Sequence, residues 1–139
     1  MTQLPSAPTK RTTRQRTEIQ RVIDEAQRPL GPQEILQAGR ESIPSLSIAT
    51  VYRTLRDLQA DGLISAVALP GDSPRYESCH AHAHHHHHFQ CTQCQKVFDI
   101  HGCPGILEEM EVPPGFRVEH HEVTLYGLCA ECAGAVMAP

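Results

Sequence analysis

Apolar residues recur at helical spacing three times in the first sixty positions. Ile19, Val22, Ile23 and Ala26 fall three and four apart in a stretch otherwise rich in Arg, Gln and Glu, which predicts one buried face of an amphipathic helix. Arg28-Pro29 ends it, because a residue before proline is pushed out of helical geometry. Gly31-Pro32 opens a second helix, with Pro32 suited to the first turn and Ile35, Leu36 and Ala38 facing inward. Gly39 weakens its end, and 41–46, with Pro44, reads as a turn. A third helix starts at Ile48 with Ser47 as its cap and stops at Gly62. Ile48, Val51, Tyr52, Leu55 and Leu58 are predicted to form its apolar stripe, with Thr50, Arg53, Thr54 and Asp57 on other faces. LISAVAL, a Pro-Gly-Asp-Ser-Pro turn and RYES then predict a hairpin. Three helices and a hairpin make a winged helix, in which the third helix enters a DNA major groove and the hairpin touches the adjacent backbone. Plain helix packing explains the stripe equally well.

Charge changes the picture. Residues 1–60 carry nine Lys or Arg against six Asp or Glu, whereas residues 61–139 carry three against ten, for a net charge of -4. A basic front half argues locally for nucleic acid although the whole chain is acidic. The 139 residues suit one domain or two small ones. Residues 1–9 are polar, with two prolines, and are expected to be disordered. Aromatic residues make up 4% with no Trp, so a large aromatic core is excluded. No run of about 18 apolar residues exists, so no membrane span is expected. The first residues lack the apolar core of a secretory signal, so the chain is expected in the cytoplasm, where thiols stay reduced.

Ten His and six Cys stand out, and all lie between Cys79 and Cys132. Cys91-Thr-Gln-Cys94 and Cys129-Ala-Glu-Cys132 are two CxxC pairs separated by 34 residues. Each such turn aims two thiolates at one point, and two turns complete a tetrahedral sulfur site for structural zinc. A thioredoxin-like redox pair would leave the second CxxC unexplained. The internal run from His80 to His88 abuts the first pair. On a strand His85 and His87 would face one way and His86 and His88 the other, so one strand could serve two metal sites. Glu108, Glu109, Glu111, His120 and His121 downstream, and Glu77 and Cys79 upstream, offer further ligands. A loose metal-storing tract is the competing reading. A zinc hydrolase would need an open metal position and a base such as Glu122 or Glu77. No HExxH or similar motif is present, and the chain is expected not to be an enzyme.

TRQR at 13–16, ATVYRTL at 49–55, RYE at 75–77, the His run, CTQC, HHEVTLYGLC and the closing CAEC resemble, in that order, the ferric-uptake-regulator (Fur) family over about residues 10–133. The resemblance implies a cytoplasmic, homodimeric, metal-sensing repressor of α+β class. A winged helix-turn-helix DNA-binding domain would span 10–78, followed by a small metal-binding α/β dimerisation domain at 79–139. Its partner would be double-stranded DNA carrying an AT-rich palindromic operator. By position in the family's motifs, Cys91, Cys94, Cys129 and Cys132 correspond to structural zinc. Arg14, Arg16, Thr50, Tyr52 and Arg53 correspond to DNA contacts. His85, His87, Glu108 and His121 correspond to a second metal site. His86 and His88 correspond to a regulatory site between the domains.

The identity of the sensed metal turns on three positions. Iron and manganese sensors of the family place a His where this chain has Pro29, together with an acid that Glu77 matches. Zinc-uptake regulators place a Cys soon after that acid, as Cys79 is here. A thiolate with two imidazoles suits Zn2+ over Mn2+ or Fe2+. The expectation is therefore a zinc sensor repressing zinc-uptake genes, with Cys79, His86 and His88 as ligands and Glu77 or Asp61 alongside. The zinc branch often carries an Asp at the position of Ser65. An iron-, manganese- or peroxide-responsive regulator of the same fold is the alternative. His101 and Cys103 have no role in the family pattern.

Overall fold

A computed structural model of the chain describes residues 13–79, 87–102 and 110–137, with only the backbone from 135. The expected tail, His80 to His86 and the segment holding Cys103 and Glu108 lie outside the described residues.

Helix α1 (Arg14–Ala26) begins where the Thr13 hydroxyl accepts a hydrogen bond from the Arg16 N–H at 3.1 Å, and ends at Gln27, left-handed at φ 52°. Helix α2 (Pro32–Gly39) starts on Pro32, whose missing N–H is no loss in a first turn. Helix α3 (Ile48–Ala60) is capped by Ser47, which accepts from Thr50 N–H at 3.2 Å. Gly62, at φ 73°, turns the chain away from it. Ile19, Ile23, Ile35, Leu46, Val51, Leu55, Leu58 and Ile64 form one buried core. The stripe on α3 differs from the one predicted. Thr54 is buried and Tyr52 is 55% exposed. Positions 51, 54, 55 and 58 follow the i, i+3, i+4, i+7 row, whereas 52 lies a further 100° round the helix.

Strands β1 (Ile64–Val67) and β2 (Arg75–Ser78) pair antiparallel, with Ser65 opposite Glu77. Leu30 adds a bridge to Tyr76 through two backbone bonds of 2.8 Å. This is the winged helix. A second sheet has the order β4-β3-β5. In it β3 (His87–Cys91) runs antiparallel to β4 (Val97–Ile100) and parallel to β5 (Thr124–Gly127). Helix α4 (Ala130–Met137) follows. The class is α+β, a winged helix and then a small α/β domain. The second core is thin: Cys91, Cys129 and Cys132 with Phe89 and Phe98 beside them. Between the two sheets, Val67 and Leu69 of the wing pack on Val97 of β4. Phe116, Tyr126, Leu125 and Leu128 stay exposed.

Leu55→Ala is expected to destabilise the winged helix by about 2–5 kcal/mol in urea unfolding, the range for a fully buried leucine. Tyr52→Ala on the same helix should change stability by no more than about 0.5 kcal/mol.

Candidate metal centres and nucleic-acid interface

The first CxxC closes the β3–β4 hairpin. Strand β3 ends in Cys91, and Gln95 N–H returns to the Cys91 carbonyl at 3.0 Å. Gln95 takes a left-handed φ of 65°, which reverses the chain into β4. The second pair straddles the start of α4, Cys129 just before it and Cys132 in its first turn. All four sulfurs lie within 4.8 Å of one another, and Cys94 Sγ is 3.8 Å from Cys129 Sγ. A tetrahedron with metal–sulfur bonds of about 2.3 Å has sulfurs about 3.8 Å apart. The N–H groups of Cys94 and Cys129 donate to Cys91 Sγ at 3.5 and 3.4 Å and lower its thiol pKa to about 6. Burial, and then the neighbouring sulfurs, push Cys132 up to about 12. Four clustered thiols resist shared ionisation until a cation balances them. Their geometry and softness fit structural zinc and remove the reason for a redox reading.

A second group spans the two domains. Glu77 on β2, His88 on β3 and Asp99 on β4 bring their ligand atoms within 4.8 Å of one another. His88 Nε2 is 3.3 Å from Asp99 Oδ1 and 3.9 Å from Glu77 Oε1. Glu77 is 2% exposed. Burial, and then the nearby Glu77, push the Asp99 carboxyl up to about 7. The contact with Glu77 and the charge of Asp99 raise the His88 imidazole above its usual range. Two acids and an imidazole packed out of water form a set that a divalent cation would relieve. Sequence reasoning missed Asp99. The signal was available: a CxxC closing a hairpin sets the residue three before Cys91 opposite the residue five after Cys94, as the His88–Asp99 pairing shows.

Other expected ligands lie elsewhere. Asp61 pairs with Arg16 at 2.7 Å and takes no part in the group, because the cap of α3 points it at α1. Cys79 follows β2, held by its N–H to the Leu63 carbonyl at 3.2 Å, and is not among the three ligands. His86 lies outside the described residues. Of the other expected set, His87 and His121 meet with ring centroids 5.1 Å apart, on the opposite face of β3 from His88. His85 and Glu108 are not described. On the face of α3 expected to meet DNA, Tyr52 is exposed, and Arg53 Nη2 donates to Thr50 Oγ1 at 3.3 Å. Arg14 donates to the Ser42 carbonyl at 3.0 Å. Arg14 and Arg16 therefore also brace α1 against the turn before α3 and against the end of α3.

The profile of the Ferric uptake regulator family matches residues 8–126. The chain belongs to this family. A peroxide operon regulator of Bacillus subtilis (strain 168) is 31% identical over 103 residues, 72% of this chain and 68% of that one. The solved structure of a zinc-bound manganese uptake regulator superposes with a TM-score of 0.71 at 26% identity, over 86% of this chain and 90% of that one. A zinc uptake regulator complexed with zinc and DNA gives 0.56 at 27% identity, over 92% and 87%. The chain is thus a Fur-family metal-responsive regulator. Among the described residues no helix is long and apolar enough to cross a membrane.

Cys91→Ser is expected to unfold the C-terminal domain, seen as loss of its melting transition and of bound zinc. Asp99→Asn should leave the zinc content of the four-cysteine site unchanged while removing a second bound metal, read by elemental analysis after dialysis.

Proposed function

We propose that this protein is a zinc-responsive, DNA-binding transcriptional repressor, acting as a homodimer on zinc-uptake genes. The observation that carries it is the meeting of Glu77, from the winged helix, with His88 and Asp99, from the second domain. Residues from both domains at one ion would hold the wing and the dimerisation sheet in one orientation. A divalent cation supplies the charge that lets both carboxylates stay ionised at close range. Glu77, His88 and Asp99 would be its ligands, with Cys79 just beyond the end of β2. Cys91, Cys94, Cys129 and Cys132 would hold structural zinc and so fix the hairpin that carries His88 and Asp99. His87 and His121 would belong to a further metal site. Exposed Leu125, Tyr126 and Phe116 would be covered by the second copy. The two α3 helices would then lie at a spacing set by the dimer, with Tyr52, Arg53 and Thr50 toward the groove and Arg14 and Arg16 toward phosphates. A metal that favours the DNA-competent orientation must itself bind tighter on DNA, by the same factor.

Zinc is favoured if the thiol of Cys79, two residues after Glu77 in the sequence, joins the imidazole of His88, a softer set than Mn2+ or Fe2+ prefers. A second reading has its own observation. The three ligand residues that converge are oxygen, nitrogen and oxygen donors, a set suited to iron or manganese, and a 31%-identical relative is a peroxide operon regulator.

The test is fluorescence anisotropy with AT-rich palindromic duplexes at buffered free Zn2+, Mn2+ or Fe2+, at fixed salt because phosphate contacts make affinity depend steeply on ionic strength. Binding that appears as free Zn2+ rises from trace levels, and weakens in Cys79→Ser with dimerisation intact, is the expected result. Binding switched by Mn2+ or Fe2+, with no change in Cys79→Ser, would replace zinc by the second reading.

A further inference from the structure

We propose that Asp72, Arg75 and Gln90 form a polar clamp that presses the wing onto the metal-bearing hairpin and positions Glu77 against His88 and Asp99 before any ion binds. This rests on reading those last three residues as a metal site. Asp72 sits in the wing turn, where its Oδ1 accepts from the Ser73 N–H at 2.7 Å. Its Oδ2 accepts twice, from Gln90 Nε2 at 2.9 Å across the domain boundary and from Arg75 Nη2 at 3.0 Å within the wing. Arg75 also donates to Glu34 Oε1 of α2 at 3.3 Å, and Gln90 to Gln95 Oε1 in the CxxC turn at 3.3 Å. The network therefore runs from the helices of one domain to the zinc turn of the other. It returns by another route: Arg28 is ion-paired to Glu34 and lies over the Phe98 ring of β4 at 5.7 Å.

Two of the three members are buried, and the third, Asp72, reaches them from the exposed wing turn. Gln90 is 7% exposed and Arg75 9%, and Val67, Leu69 and Val97 pack between the same two domains. A hydrogen bond from a buried amide to a partly exposed carboxylate is of modest strength, enough to bias how the two domains sit without setting the melting temperature. Strand alternation ties the clamp to the metal site. Arg75 and Glu77 are two apart on β2, and Gln90 and His88 are two apart on β3, so each pair shares a face about 6–7 Å apart. The contact that aligns Arg75 with Gln90 through Asp72 therefore also aligns Glu77 with His88. If the clamp opens, the population able to bind metal falls, and apparent affinity falls with that fraction.

The experiment uses full-length protein with its four-cysteine site loaded and titrates Zn2+ in competition with a chromophoric chelator. It compares the native chain, Asp72→Ala, Gln90→Met, the double variant and Glu77→Gln. Each single clamp variant should bind the Zn2+ that depends on Glu77 about three- to tenfold more weakly, as an opened population requires. The double variant should be no weaker than the weaker single one, because both changes cut the same link. Zinc content of the four-cysteine site and the melting temperature should hold. Unchanged Zn2+ affinity in both single variants would overturn the clamp, as would losses that multiply in the double variant. A fall accompanied by lower four-cysteine occupancy or melting temperature would show a merely structural role and also overturn it. If the native chain binds no Zn2+ that Glu77→Gln removes, the metal-site reading fails first and takes the clamp with it.

Discussion

Cys91, Cys94, Cys129 and Cys132 converge because two tight turns each present two sulfurs, and the rest of the second domain depends on that convergence. The domain has little else to hold it. Among its described residues the buried apolar side chains are few, and several of the largest ones are exposed in the single copy. A small domain with so thin a core needs a cross-link to fold. Here the cross-link does more than stabilise. By closing the β3–β4 hairpin at Cys91 and Cys94 it sets the ladder register, and the register sets His88 against Asp99. A slip of one residue would turn one of the two side chains to the other face.

The winged helix is built the other way, on a well-filled apolar core with conventional caps, and can hold its shape without metal. The two domains therefore differ in what they depend on, and their boundary is where a signal can act. Among the described residues three kinds of contact cross it: apolar and ring packing (Val67 and Leu69 on Val97, Arg28 over Phe98), the Asp72–Gln90 hydrogen bond, and the Glu77–His88–Asp99 group. The first two are independent of any ion. The third places a buried acid from one domain against an acid and an imidazole from the other, an arrangement that is poorly stable until a cation neutralises it. On the proposed reading, metal dependence of the closed form would follow from that imbalance.

Ser65 stands beside this group. It lacks the carboxylate that zinc-branch relatives often carry at that place, yet it lies directly across the β1–β2 ladder from Glu77. The cross-strand partner supplies a carboxylate to the same face of the sheet. Among the described residues the buried Ser65 hydroxyl has no hydrogen-bond partner.

The three helices, the Ser47 cap and Gly62 stop of the third, the wing and the pairing of the two CxxC turns were legible in the sequence, because each follows from a simple spacing: helical period, a Ser cap, a Gly stop, two thiols per turn. The alternation of His87 and His88 was legible for the same reason. What only the tertiary structure decided involves partners distant in sequence. Asp99 could be recognised as a ligand only once the hairpin register was known. Tyr52 left the core for the surface, and Thr54 took its place, because the neighbouring helices decide which row of α3 is covered. Asp61 was turned from a metal-ligand candidate into the ion-pair partner of Arg16, 45 positions away, since helix ends are satisfied by whatever the packing brings to them. Local propensity writes the elements, whereas burial and long-range charge pairing choose which of their side chains meet.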